Sequence, residues 1–414
     1  MRVWIVSVGE PLPSDGNNVR LRRMGNLASY LTSNPNNTVD WFSVSFDHYK
    51  KTQRVKVDSI ITIKNNYKMH LVYVNGYKRN ISFSRIIHHI IGGKKIYKNM
   101  VDLRNQPDII LASMEPLEIS SAAIKYKKRF NIPTVIDIRD LWPEIYYEVI
   151  NPRFHWVLRP YVWYCKKMLS NTLSQATAIV GLSSEFLKYG LRYAHREQTD
   201  DDQVIPIAYP NYDYSVYKDN WDLLEERFNL TREDFIVVFL GNFGNQFDFD
   251  PVIQAAHLLS KYPSIRFVLC GTGVQLEDVK KKSPESVLFT GWIEKEEILT
   301  LTANSSLGLA PYIDSMNYRL NTPNKFGEYL SASVLPIISV SGVMEDLLAQ
   351  YECGNRYRNG ESLACIIEDY YLHPEKLVKA SNNARKLYEE MFNGDTVNER
   401  FSDYLETLVG GNTL

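Results

Sequence analysis

The chain is 414 residues long, 44% hydrophobic and 23% charged, with a formal net charge of −1; a chain of this kind folds into two or three packed domains and is neither a coiled coil nor a disordered scaffold. The near-neutral charge is a cancellation. Residues 1–100 carry 16 Lys and Arg against 5 Asp and Glu, a net of +11, and the other 314 residues carry 31 against 43, a net of −12, so an anionic partner for the N-terminal region is not excluded.

In chain order, short β-branched runs alternate with helical patterns, as in parallel sheets covered by helices. Strands are predicted at Val3–Val8, Val39–Val44, Ile109–Ala112, Val135–Ile138 and Ala178–Val180. A helix is predicted over Asn18–Ser33, where Leu21, Met24, Leu27, Ala28 and Leu31 recur at helical spacing. A second set of strands follows at Phe235–Leu240, Arg266–Cys270, Val287–Thr290, Leu307–Ala310 and Leu335–Ser339, with helices near 251–261, 294–303 and 324–333. Pro206, Pro210, Asn211, Tyr212 and Asp213 interrupt the periodicity between the two sets. The expectation is an α/β chain of two doubly wound, Rossmann-like domains facing a central cleft, residues 1–210 and 211–395. A helical tail at 396–414 is able to pack back on the first domain. Ligands are expected at the strand C-termini. Cys165, Cys270, Cys353 and Cys365 form no C-x-x-C pair, which argues against a disulfide framework or zinc site and for a reducing cytoplasm. The apolar start Met1–Val8 is too short for a signal peptide, and nowhere do 18 apolar residues run together.

Two stretches are suited to anion chemistry. Leu240-Gly241-Asn242-Phe243-Gly244 follows a predicted buried strand and precedes a helix opened by Asp250 and Pro251; glycines there bring main-chain amides close to an anion, and a tight strand-to-helix turn is the other reading. In Asn321-Thr322-Pro323-Asn324-Lys325-Phe326-Gly327-Glu328, Pro323 opens a helix whose N-terminus carries Lys325. Glu328, three residues on, suits a bidentate bond to a vicinal diol, or else forms an i,i+3 pair with Lys325.

These motifs stand in register with Phe267-Val268-Leu269-Cys270-Gly271-Thr272-Gly273, Phe289-Thr290-Gly291-Trp292-Ile293 and Gly308-Leu309-Ala310-Pro311-Tyr312. In that order the chain resembles the nucleotide-sugar domain of family 4 retaining glycosyltransferases, which have the GT-B fold. Arg139-Asp140-Leu141-Trp142-Pro143-Glu144 resembles a segment of members that build bacterial O-antigen and capsule. The resemblance implies that Gly241, Asn242, Phe243 and Gly244, with the amides near Asn324 and Lys325, hold a donor diphosphate. It implies further that Glu328 binds the ribose, that Trp292 and Ile293 border the base, and that Gly16 lets the first domain close on the phosphates. Lys325 becomes the main cation on the leaving group, with Arg319 as a helper.

Some positions depart from the family pattern. The first glutamate of its E-x7-E is Leu320 here, which reassigns sugar recognition to main-chain amides or Asn321, and Asn245, Gln246 and Phe247 replace the usual cations after the glycine loop. Where many members have an acceptor-side histidine, this chain has Asp137, Arg139 and Asp140. Asp140 either bonds the acceptor hydroxyl or caps the next segment, and Glu115 is a second carboxylate candidate for catalysis. Asp248-Phe249-Asp250 reads as a helix start rather than a metal D-x-D, His88-His89 as packing, and Asp200-Asp201-Asp202 as a solvated loop.

The resemblance therefore implies a metal-independent enzyme with no cofactor that moves a sugar, in N-acetylated or deoxy form among others, from a UDP-sugar or other nucleotide-diphosphate sugar. The acceptor is a polyprenyl-diphosphate-linked saccharide at the inner face of the cytoplasmic membrane, and no nucleic-acid partner is expected. Basic aromatic segments over 77–98 and 152–169 suit peripheral binding to anionic lipid, or else pack one face in the core. The rivals are a nucleotide-sugar 2-epimerase of the same architecture and a non-catalytic sugar-nucleotide binder.

Overall fold

A computed structural model describes residues 1–16, 19–218 and 220–411. The chain divides into two compact units, one of residues 1–206 with 395–414 and one of residues 207–394.

The first unit is built on an eight-stranded sheet in the order Gln203–Val204, Ala178–Gly181, Thr134–Ile138, Ile109–Ser113, Arg2–Val6, Thr38–Val44, Tyr67–Val72, Ser59–Lys64. Every pairing is parallel except the last, a hairpin edge. Strands Ile109–Ser113 and Thr134–Ile138 are buried along their whole length, as strands covered on both faces must be. The strand Tyr67–Val72 is not among the expected ones: Lys68 and His70 break its apolar run, yet Lys68 alone faces solvent. The helix expected from Asn18 runs over Arg23–Leu31; Asn17 and Asn18 lie outside the described residues. Helix Gly394–Gly411 belongs to this unit: Arg400 Nη2 donates to the Val204 carbonyl at 3.0 Å, and the Tyr404 hydroxyl donates to the Asp201 carbonyl at 2.8 Å.

The second unit carries an all-parallel sheet in the order Val287–Gly291, Ile265–Cys270, Phe235–Leu240, Leu307–Ala310, Leu335–Ile338, Asn355–Arg356. Sequence order reverses between Phe235–Leu240 and Leu307–Ala310, and a crevice opens beyond the strand C-termini at such a reversal. Its larger core cluster joins Phe239, Phe243, Phe247 and Phe249 to Leu309, Phe326 and Tyr388. Both units are thus doubly wound α/β layers.

Candidate active site

In the second unit the site grows from the end of strand Phe235–Leu240. Gly241 has φ +151°, and a Cβ there would strike the Lys325 ammonium, so this position needs glycine. The loop differs from the sequence expectation in how its amides are used. Gly241 N–H donates to the Cys270 carbonyl at 3.0 Å, Phe243 N–H to Thr272 at 2.9 Å and Gly244 N–H to Asn242 at 2.9 Å. Phe243 turns fully into the core, stacked on Phe249 at 4.8 Å, while Asn242 is exposed. The loop therefore brings backbone and Lys325 close together instead of offering a row of open amides.

Lys325 sits in the first turn of helix Asn324–Ser331, whose N-cap is Pro323 and whose amides take no side-chain cap. The side chain is buried, its ammonium donating to the Leu240 carbonyl and lying 4.5 Å from the Phe239 ring centre and 5.1 Å from that of Phe247. A cation held over aromatic faces at a helix N-terminus makes one positive point at the sheet reversal. Glu328, one turn on, is also buried and accepts the Tyr209 hydroxyl at 2.9 Å. Tyr209, which no sequence motif singles out, thus orients that carboxylate. Asn321 is buried and takes the Thr322 amide at 2.8 Å, and the buried Thr322 hydroxyl has no partner. Ile293 packs into the core cluster of Leu240 and Cys270, whereas Trp292 beside it is 71% exposed. Arg319 pairs with Asp314 at the surface, which draws it away from the helper role. Leu320 ends the short helix Met316–Arg319.

In the first unit, residues after three adjacent strands meet. Asp137, fully buried, receives Arg23 through Nε at 2.9 Å and Nη2 at 2.9 Å, and Arg23 Nη1 donates to the Pro206 carbonyl at 2.6 Å. Both oxygens of Asp137 are thus taken inside the protein, which makes it a strut and not the acceptor ligand expected for it. Arg139 forms an ion pair with Glu10, and its Nε donates to Glu115 Oε1 at 3.3 Å. Glu10 also accepts the Met24 amide at 3.2 Å. Burial raises the Glu115 carboxyl to about 8 against the pull of Arg139, with Asp140 and Asp137 adding to the rise, and its Oε2 is buried without a partner. Asp140 lies half-buried next to Arg139. Glu10 and Arg23 are the residues the sequence reading missed here. Gly16, φ +143°, closes the short turn Pro13–Asp15 with open space where a side chain would stand.

The remaining motifs resolve into structure. Helix Asp250–Leu258 begins at Asp250 after an N-cap at Phe249, and it is Asp248 that accepts the Asp250 amide, at 3.1 Å. Asp202 is not solvated: it is buried, accepts the amides of Ile179 and Thr199 at 2.8 and 2.9 Å, and pairs with Arg196 at 2.5 Å. His88 is buried with Nδ1 at 2.8 Å from the Asn75 carbonyl. Among the described residues no group of three or more His, Cys, Asp or Glu is arranged to hold a metal ion.

Residues 222–387 match the family model described as Glycosyl transferases group 1. No curated protein matches the chain in sequence. Solved structures with the same fold over nearly the whole of both chains include the following three. Sucrose-phosphate synthase from Thermosynechococcus elongatus is 15% identical with TM-score 0.72, covering 99% of each chain. Anabaena Alr3699/HepE in complex with UDP is 14% identical with TM-score 0.65, covering 98% of this chain and 99% of that one. WaaG, a glycosyltransferase involved in lipopolysaccharide biosynthesis, is 13% identical with TM-score 0.66, covering 97% and 99%.

Proposed function

We propose that this GT-B glycosyltransferase, which carries its group 1 glycosyl transferase domain in residues 222–387, is a retaining enzyme that moves a sugar from a UDP-linked donor to a hydroxyl of a polyprenyl-diphosphate-linked saccharide in surface-polysaccharide assembly. The observation that carries the donor reading is the buried Lys325 at a helix N-terminus beside Gly241, with Glu328 oriented by Tyr209 one turn away. UDP as the nucleotide is supported by the relative solved in complex with UDP. The Lys325 ammonium and the helix N-terminus stabilise charge growing on the leaving diphosphate. Glu328 takes the ribose hydroxyls, and the unpartnered Thr322 hydroxyl is available to a donor oxygen. In a same-face displacement the C–O bond to the leaving phosphate breaks as the acceptor oxygen bonds the anomeric carbon, and a phosphate oxygen takes the acceptor proton. No separate protein base is then needed. Asp140 and Glu115 orient the acceptor hydroxyl, with Arg139 fixing Glu115.

The membrane part of the reading is supported by exposed apolar and aromatic side chains on two helices of the basic unit. Phe83, Ile87 and Ile91 stand on Phe83–Asp102, and Trp156, Trp163 and Tyr164 on His155–Leu173. Among the described residues no helix is long and apolar enough to cross a membrane.

Transfer of radiolabelled sugar from a panel of UDP-sugars to a lipid extract tests the reading, with Lys325→Ala as the comparison. Loss of one preorganised charge at the leaving group lowers kcat by roughly 10²–10³-fold. Unchanged turnover in Lys325→Ala, or conversion of the UDP-sugar to an epimer without acceptor, removes the proposal.

A further inference from the structure

A second cluster in the first unit gathers cations and imidazoles around the Tyr77 ring. Lys51 Nζ donates to Asn80 Oδ1 at 2.5 Å and lies 4.7 Å from the centre of the Tyr77 ring. The Arg85 guanidinium lies 5.8 Å from that ring and 5.7 Å from the Trp142 ring. Arg85 Nη1 donates to the Asn80 carbonyl at 2.8 Å, and its Nε is buried with no partner. Among the described residues neither cation forms an ion pair. His48 Nδ1 is 2.6 Å from the Tyr77 hydroxyl, and His88 and His89 set their edges against the same ring at 5.2 and 6.3 Å. The nearby carboxyl groups are Asp47 and Glu118. Asp47 is occupied by the amides of Tyr49 and Lys50 and by Arg54 at 3.2 Å, and Glu118 is raised by its own burial. Burial with the charges of Lys51 and Arg85 holds His48 down to about 4, and burial with Arg85 holds His89 low. Groups that suppress one another's charge in this way are relieved by an anion placed among them.

We propose that Lys51, Arg85, His48 and His89 form an anion subsite that takes a phosphate group of the acceptor, with Trp142 as its aromatic wall. The proposal rests on the acceptor reading above and adds where the charged part of that acceptor lies. Trp142 is two residues from Asp140, at most about 7 Å of backbone. One acceptor therefore fits with its reacting hydroxyl at Asp140 and its phosphate at Arg85, whose planar fork matches phosphate oxygens. The phosphate has two possible carriers, a lipid diphosphate or a sugar phosphate of the saccharide.

Calorimetric titration of the full chain, with the donor site filled by saturating UDP, separates these. The probes are inorganic pyrophosphate, farnesyl diphosphate and a hexose 6-phosphate. The expected result is binding of a phosphate probe that weakens ten-fold or more in Arg85→Gln and in Lys51→Gln, with melting temperatures unchanged. Preference for farnesyl diphosphate assigns the phosphate to the lipid, and preference for the hexose phosphate assigns it to the sugar. Should Arg85→Gln unfold, Lys51→Gln decides alone, since that side chain is only half-buried. Equal affinity in wild type and variants, or no probe bound by the wild type, overturns the subsite. Absence of sugar transfer to lipid with pyrophosphate binding intact overturns the acceptor reading and leaves the subsite standing.

Discussion

Glu115 is the residue at which electrostatics makes the sharpest demand. Burial pushes its folded-state carboxyl up to about 8, above the ordinary 4.5, against the attraction of Arg139. Between those values the native state holds a proton that the unfolded chain has released, so this group's contribution to stability is complete below pH 4.5 and is lost as pH rises through 8. Urea midpoints of the wild type should fall from pH 5 to 8 more steeply than those of Glu115→Gln, which keeps the neutral form at every pH; parallel slopes would refute the assignment. Tyr209 makes a second demand. Its hydroxyl donates to the Glu328 carboxylate at 2.9 Å, and a hydrogen bond to a charged group is worth about 1.5–3 kcal/mol. Tyr209→Phe should therefore raise the donor KM by roughly ten-fold or more with kcat nearly kept, and steady-state kinetics with varied UDP-sugar will show whether it does. Lys325 and Glu328 were legible because they share one helix turn. Tyr209 was not, since it lies 119 residues from Glu328 and no local pattern encodes a partner that distant.

At the scale of elements, the Arg23–Asp137 pair joins helix Arg23–Leu31 to strand Thr134–Ile138 and, through the Pro206 carbonyl, to the end of the first unit's main segment. Phe401 of helix Gly394–Gly411 lies 5.0 Å from the Arg23 guanidinium and shields it. Removing one member of a buried pair leaves an unpaired charge and costs about 3–5 kcal/mol, whereas replacing both by apolar groups costs far less. Thermal denaturation should accordingly show Arg23→Met well below the wild type in melting temperature and Arg23→Met/Asp137→Leu recovering most of the loss. A double variant as unstable as the single would mean that the pair does more than neutralise itself. This pairing also explains a misreading: Asp137 looked like a ligand because an acid at a strand end resembles a site, and only the fold reveals that Arg23 consumes it. Most strands were legible from their apolar runs, although the β-branched edge strand Ser59–Lys64 was not among those predicted. Tyr67–Val72, Gln203–Val204 and Asn355–Arg356 were not, because two-residue edges and a strand carrying Lys68 and His70 have no run to read.

At the scale of the whole molecule, the basic stretch seen in the sequence falls within one unit of the chain. The +11 of residues 1–100 lies wholly in the first unit, with part of the acidic remainder in the second. That basic unit also presents Phe83, Trp156 and Trp163, which are 75%, 72% and 65% exposed. Lysine and arginine at an anionic surface contribute about 1 kcal/mol each within a Debye length, and interfacial aromatics add a contribution that salt does not screen. The two parts of the attraction separate experimentally. Co-sedimentation with vesicles containing anionic lipid should be strong at low salt and fall steeply by 0.5 M, while Trp156→Ala/Trp163→Ala should lower binding by a similar factor at every salt concentration. Binding that ignores both salt and the tryptophans would place the membrane contact elsewhere on the chain.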